Sequence, residues 1–186
     1  TVVILGANPV YTAPADLDFA GALSRAGTVI HLADYVDETS RAAEWHVNRA
    51  HFLEAWGDGT SFTGVRSVIQ PQIQPLFDGW SEIELLNLIV NGRFENGYDL
   101  VRETWSSFLG NNFESRWEQI LHDGLDKASV YAAANVSLSS GFANELTPLL
   151  GRTGIRGLEI VIKPDPTLFD GRFANNSWLQ ELPDCV

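Results

Sequence analysis

The residues best placed for ligand chemistry stand at the start of the chain. Residues 2–5, Val-Val-Ile-Leu, are an unbroken apolar run, and Gly6-Ala7-Asn8-Pro9 breaks it at once. A strand buried on both faces that ends in such a turn opens a βαβ unit. In open α/β sheets that carboxyl-end turn is where ligands sit. The turn has one glycine, not the Gly-x-Gly-x-x-Gly fingerprint, and Pro9 lacks the N–H that a diphosphate uses, so the residues do not spell an NAD site. Glycines 151, 154 and 157 with Arg152 and Arg156 have the spacing of a phosphate loop. No Walker lysine accompanies them, and they read as a solvated loop before an apolar run at 158. His46, His51 and Glu54 are close in sequence, but the histidines are out of helical register for a shared metal. A loop that packs His51, Phe52, Leu53 and Trp56 inward accounts for them better. Asp165 and Asp170 flank a proline-rich turn and read as turn residues. Ser139-Ser140-Gly141 reads as a turn or helix start, not a nucleophile elbow. The acid pairs Glu82/Glu84 and Asp37/Glu38 fall at helix starts or turns, where carboxylates serve the helix dipole and solubility. From the residues alone no catalytic set and no metal set emerges.

Composition narrows the classes further. A formal charge of −12 argues against nucleic acid or an anionic membrane as partner. The chain has a single cysteine, Cys185, so an internal disulfide, an iron–sulfur cluster and a thiolate zinc site are excluded within it. No apolar run is long enough to enter a bilayer as a span, and the opening residues do not read as a signal peptide. The lack of methionine and a start directly in a strand read as a piece cut from a longer protein.

The elements that must hold the turn follow from periodicity. A helix over 14–26 has Pro14 in its first turn, Leu17, Phe19, Ala20, Ala22, Leu23 and Ala26 on its apolar face, and Gly27 as stop. Residues 28–33 form a second buried strand, 34–38 an acidic turn, and 42–47 a short third strand. Residues 1–47 are thus a βαβ-type opening unit. Residues 48–79 read as a long irregular loop, of a length that packs on something or carries function. From 80 to 186 come helices plus late strands. Ser81-x-x-Glu84 is a capping box that starts a helix ending at Asn91-Gly92. Further helices cover 98–109 and 113–121, and strands 129–136 and 158–162. The expected fold is one α/β domain over 1–186, Rossmann-like, with an open, mainly parallel sheet and flanking helices.

Taken in order, Leu5-Gly6-Ala7-Asn8-Pro9, Thr12-Ala13-Pro14-Ala15-Asp16, Asp37-Glu38-Thr39-Ser40 and Glu54-Ala55-Trp56-Gly57-Asp58 resemble the molybdopterin oxidoreductase superfamily. There the order is strand, Asn-Pro turn, helix, strand, Glu-Thr, strand, Glu-x-x-Gly. Glu44-Trp45-His46, the run from Ala50 to Asp58, Val68-Ile69-Gln70-Pro71 and Pro75-Leu76-Phe77 resemble one branch more closely. So does the stretch from Asp165-Pro166-Thr167 through Asp170-Gly171-Arg172-Phe173-Ala174-Asn175-Asn176. That branch is the large iron–sulfur subunit of bacterial alternative complex III, a respiratory quinol oxidoreductase, and the resemblance covers nearly the whole chain.

The resemblance implies that Gly6, Ala7, Asn8, Pro9, Glu38 and Thr39 lie along the guanine-dinucleotide arm of a molybdopterin in the molybdenum enzymes. This chain departs from them at its third strand. The usual Ala-Asp-Val-Val-Leu-Pro reads Ala43-Glu44-Trp45-His46-Val47-Asn48. The branch is similar to the molybdenum enzymes in fold, carries no molybdenum at this position and holds its iron–sulfur clusters elsewhere in the subunit. The expectation is therefore a non-catalytic scaffold domain of an electron-transfer subunit with a vestigial cofactor site, filled by the 48–79 loop and its aromatics. Its partners are then other domains of the same protein and subunits of a membrane complex, without nucleic acid and without insertion into the membrane. Its location is the outer, periplasmic face of the bacterial cytoplasmic membrane. Trp178, Leu179 and Leu182 are candidates for a face that meets such neighbours. Two alternatives remain: a working molybdopterin guanine dinucleotide domain, and a stand-alone α/β nucleotide-binding module.

Overall fold

The computed structural model describes residues 1–150, 157, 158 and 160–183. By its contacts the chain divides into two units, residues 1–132 and 133–186.

In the first unit, strand β1 (Val2–Leu5) leads through Gly6 into a one-turn helix, α1 (Pro9–Thr12), with Pro9 in its first turn. A single helix over 14–26 does not form. Instead a 3-10 turn (Ala15–Leu17) is followed by α2 (Phe19–Leu23), and the break is at Asp18, whose φ of 43° is left-handed. The Asp18 carboxylate accepts the amide of Gly21 at 3.2 Å. A Cβ on Gly21 would stand 2.1 Å from that carboxylate, so the pair Asp18/Gly21 fixes a new helix start inside the apolar pattern. Leu17, placed on the expected apolar face, is exposed as a result.

Strand β2 (Val29–Ala33) lies between β1 and β3 (Trp45–Asn48), parallel to both, with α3 (Glu38–Ala42) connecting the last two. The expected turn at 34–38 ends in a helix start, because Asp37 caps α3 by accepting the Ser40 amide. Ile4, Leu23 and Val29 form the core beside this sheet, with Val2, Val10, Phe19, Ala26 and Ala43 packed around them.

The span 48–79 is not irregular throughout. It holds an antiparallel hairpin, β4 (Gly57–Thr60) and β5 (Arg66–Ile69). Its sequence hides the strands, since Gly-Asp-Gly-Thr offers no apolar alternation. Trp80 then makes a parallel bridge to Arg49, extending the edge beyond β3. Helix α4 (Glu82–Asn91) starts at the Ser81/Glu84 capping box and stops at Gly92, whose φ of 68° is left-handed, as the sequence predicts. Helices α5 (Gly97–Leu109) and α6 (Phe113–Asp123) match their expected spans within a residue or two, and β6 (Leu125–Asp126) pairs antiparallel with β5. Val68, Val101, Trp105, Leu109, Trp117 and Ile120 make the core of this half, with Trp56 and Tyr98 packed against it.

The fold is thus mixed α/β, with one three-stranded parallel sheet and one three-stranded antiparallel sheet. The expectation of a mainly parallel sheet is corrected, because the second sheet is antiparallel throughout.

The second unit contains α7 (Phe142–Leu150), a tight turn bridged between Asp165 and Phe169, and α8 (Ser177–Glu181) capped by Asn176. Residues 129–136, expected as a strand, follow a 3-10 turn (Lys127–Ser129) without forming one. The described residues of 158–162 are likewise unpaired, and Leu158, Ile160, Val161 and Ile162 are exposed. An apolar run gives a strand only when another strand takes its hydrogen bonds. Gly151, Arg152, Gly154, Arg156 and Cys185 lie outside the described residues.

Candidate functional site

The carboxyl ends of β1, β2 and β3 lie side by side, and the six residues implied by the resemblance gather there. Gly6 follows β1 with φ of 64°, and its amide donates to the carbonyl of Leu32 on β2 at 2.8 Å. Ala7 and Asn8 carry the turn to Pro9. Glu38 and Thr39 approach from the start of α3. They meet through Asn8. Its Nδ2 donates to Glu38 Oε2 at 2.7 Å, while its Oδ1 accepts both the Thr39 hydroxyl at 2.7 Å and the Thr39 amide at 3.2 Å. The Thr39 hydroxyl oxygen in turn accepts the amide of Val10 at 3.1 Å, and the Asn8 carbonyl accepts the amides of Tyr11 and Thr12.

Thr39 is fully buried under this clasp and Glu38 is exposed at its rim. The Asn8 amide holds the Glu38 carboxyl below its usual range, so that Glu38 stays ionised at the rim.

Beneath the turn lies a buried polar cluster that sequence reasoning missed. His31, in the middle of β2, has no exposed surface. Its Nε2 lies 2.9 Å from the Ala7 carbonyl, which can only accept, so the ring carries a hydrogen on Nε2. Its Nδ1 lies 2.9 Å from the Ser40 hydroxyl. His46, its register partner on β3, places Nδ1 3.0 Å from the same hydroxyl. Asp37 Oδ1 accepts the Ser40 amide at 2.8 Å and stands 3.6 Å from His31. Parallel register sets His31 beside His46, and the cap at Asp37 swings Ser40 between them. The available signal was a histidine inside an apolar strand, since such a side chain must find partners on burial. Serine, histidine and aspartate meet here beneath the turn, with Ser40 buried.

The residue that approaches Gly6 is Arg49, directly after β3. A Cβ on Gly6 would stand 3.2 Å from its guanidinium carbon. Arg49 is held by Glu82 at 2.6 Å and lies 3.6 Å from Asp34. The aromatics of the 48–79 segment do not fill this place, contrary to expectation. Phe52, Phe62 and Phe77 are exposed, and Trp56 packs into the other core. His51 and Leu53 also fail to pack inward; the first is exposed and the second is 41 % exposed. Glu54 binds the amides of His51 and Leu76, which makes it a loop staple. Among the described residues no group of three or more His, Cys, Asp or Glu could hold a metal ion.

These contacts bear on a guanine-dinucleotide cofactor directly. Pro9 has no N–H, the amides of Val10 and Thr39 are already bonded, Glu38 presents negative charge to an anionic diphosphate, and the Arg49 guanidinium is engaged by Glu82 and Asp34. The residues present do not fit that group. No known family model matches the chain, and no curated protein matches it.

Proposed function

We propose that this chain is a non-catalytic scaffold domain of a respiratory electron-transfer oxidoreductase subunit, molybdopterin oxidoreductase-like, whose cofactor site is vestigial. Its opening unit, β1 to β3 with the turn at the carboxyl ends, is read as a Rossmann-like sheet that has kept its shape without its guest. The observation that carries this reading is the clasp of Asn8, Glu38 and Thr39, which spend their polar groups on one another. A working site keeps such donors free for the ligand.

The parent protein is then a quinol-oxidising subunit with iron–sulfur clusters in another region, facing the outer side of a bacterial cytoplasmic membrane. The domain's task is to hold redox-bearing neighbours at fixed spacing. Among the described residues no helix is long and apolar enough to cross a membrane. In this reading contact with the membrane complex runs through protein neighbours, and Trp178 and Leu182, both exposed, are offered as part of that contact.

The test is a thermal-shift series with GMP, GDP and GTP, joined to metal analysis of the full-length protein. The expected outcome is no nucleotide-dependent rise in Tm and no stoichiometric molybdenum. Saturable stabilisation by a guanine nucleotide, or molybdenum at one per chain, favours a working dinucleotide domain and sinks the scaffold reading.

A further inference from the structure

We propose that Arg49 is the built-in occupant of the crest formed by β1, β2 and β3. Its guanidinium stands where the polar group of a ligand would approach Gly6, and it staples the three strand ends to α4. The inference rests on the reading that this crest holds no dinucleotide, and it names what holds the place instead.

The four partners come from four elements. Gly6 follows β1, Asp34 follows β2, Arg49 follows β3, and Glu82 is the first residue of α4. The backbone of Arg49 is pinned. Its amide donates to Ala33 at 3.1 Å, and its neighbours exchange bonds with Trp80, the Trp80 amide donating to Asn48 at 2.8 Å and the Ala50 amide to Trp80 at 2.9 Å. The side chain therefore leaves a fixed origin. Nε and Nη2 both reach Glu82 Oε1 at 2.6 Å, and Nη1 lies 3.6 Å from Asp34 Oδ2. The plane of the guanidinium then lies close to the bare Cα of Gly6, a place any Cβ would crowd. Such a planar, multi-donor contact needs arginine; the ammonium of a lysine is a point charge without the fork.

The charge around Arg49 sets what could replace it. Without the guanidinium, Asp34 and Glu82 leave a recess that repels anions and suits a small planar cation. Removal of the arginine side chain should thus create a site for free guanidinium rather than restore one for phosphate.

Arg49→Ala and the unchanged full chain are melted in methylguanidinium chloride and, as an ionic control, tetramethylammonium chloride. The expected result is a saturable rise in Tm for the variant in methylguanidinium alone, against no rise for the unchanged chain, since binding to the folded state alone stabilises it. No rise over the control in a folded Arg49→Ala overturns the proposal. Arg49→Met keeps the apolar stem and serves where the alanine variant does not fold. In it the amides of 6–12 and 34–38 exchange hydrogen about tenfold faster, the scale of one charge-assisted bond in a half-exposed setting, while those of 57–69 keep their rates. Unchanged exchange at 6–12 overturns the proposal. Guanine nucleotides run alongside separate the two readings. A wild type that they stabilise sinks the scaffold reading and the plug together. A wild type that they leave alone, with unchanged exchange in Arg49→Met, sinks the plug only.

Discussion

Ser40 shows how much one hydroxyl can carry. Its single hydrogen faces His31 Nδ1 at 2.9 Å, Asp37 Oδ1 at 3.1 Å and the Tyr35 carbonyl at 3.2 Å, while His46 Nδ1 lies 3.0 Å away. With its hydrogen given to His31 Nδ1, the oxygen accepts from His46 Nδ1–H, and both Nδ1 atoms are satisfied. Ser40→Ala removes donor and acceptor together and leaves two ring nitrogens without a partner, His31 in a place with no exposed surface. The expected cost is about 1–3 kcal/mol, the range for stranding a buried polar group. In urea titration the midpoint should fall while the slope is unchanged. An unaltered midpoint would mean that water replaces the hydroxyl and that the cluster is looser than the distances state. The same residue explains why the cluster was hidden in the sequence. His31 and Ser40 are nine positions apart with no shared periodicity, and only the parallel register and the Asp37 cap bring them together.

At the scale of elements, local rules were legible and distant ones were not. Helix α4 could be read from Ser81, Glu84 and Gly92 because each acts within a turn of its own helix. Glu84 also does something the pattern did not reveal. Its Oε2 takes the Ser81 amide and hydroxyl, and its Oε1 accepts the Gly97 amide at 2.9 Å, so one carboxylate anchors the starts of both α4 and α5. Glu84→Ala should therefore cost about 2 kcal/mol, the upper end for a lost cap, and lower the helical signal in far-UV circular dichroism. A loss near 0.5 kcal/mol would show that α5 does not depend on this bond. The helix over 14–26 failed for an equally local reason, the left-handed Asp18 that Gly21 accommodates, but its signal is two residues inside a convincing apolar pattern. The hairpin β4–β5 and the run 158–162 failed through distance. A strand is made by its partner, and neither Gly-Asp-Gly-Thr nor Leu-Glu-Ile-Val-Ile names one. Of the candidate site, the resemblance implied only that Asn8, Glu38 and Thr39 line one cofactor arm; their bonds to one another, and the contacts of Arg49, 43 positions beyond Gly6, had no sequence signal.

At the scale of the molecule, apolar burial is uneven. Both core clusters, around Ile4 and around Trp105, lie in the unit ending at Ala132. In the second unit no described residue is buried, and Val136, Leu138, Leu158, Ile162 and Trp178 are each more than three-quarters exposed. Ordering a residue costs roughly 1–2 kcal/mol of backbone entropy, which only burial and bonding can offset. The first unit has that offset within itself. Its last turn is also tied in, since the Tyr131 amide donates to the Thr63 carbonyl at the hairpin tip at 2.9 Å. Residues 1–132 expressed alone should therefore unfold in one cooperative urea transition, with coincident far-UV and tryptophan-fluorescence curves. Its midpoint should lie close to that of the full chain, because the side chains that build both cores all precede residue 133. A non-cooperative melt, or fluorescence and helicity that part company, would mean that the first unit depends on the second and that the two cores do not suffice. Under the proposed scaffold reading, a self-sufficient first unit would hold position while exposed apolar side chains such as Trp178 meet neighbours.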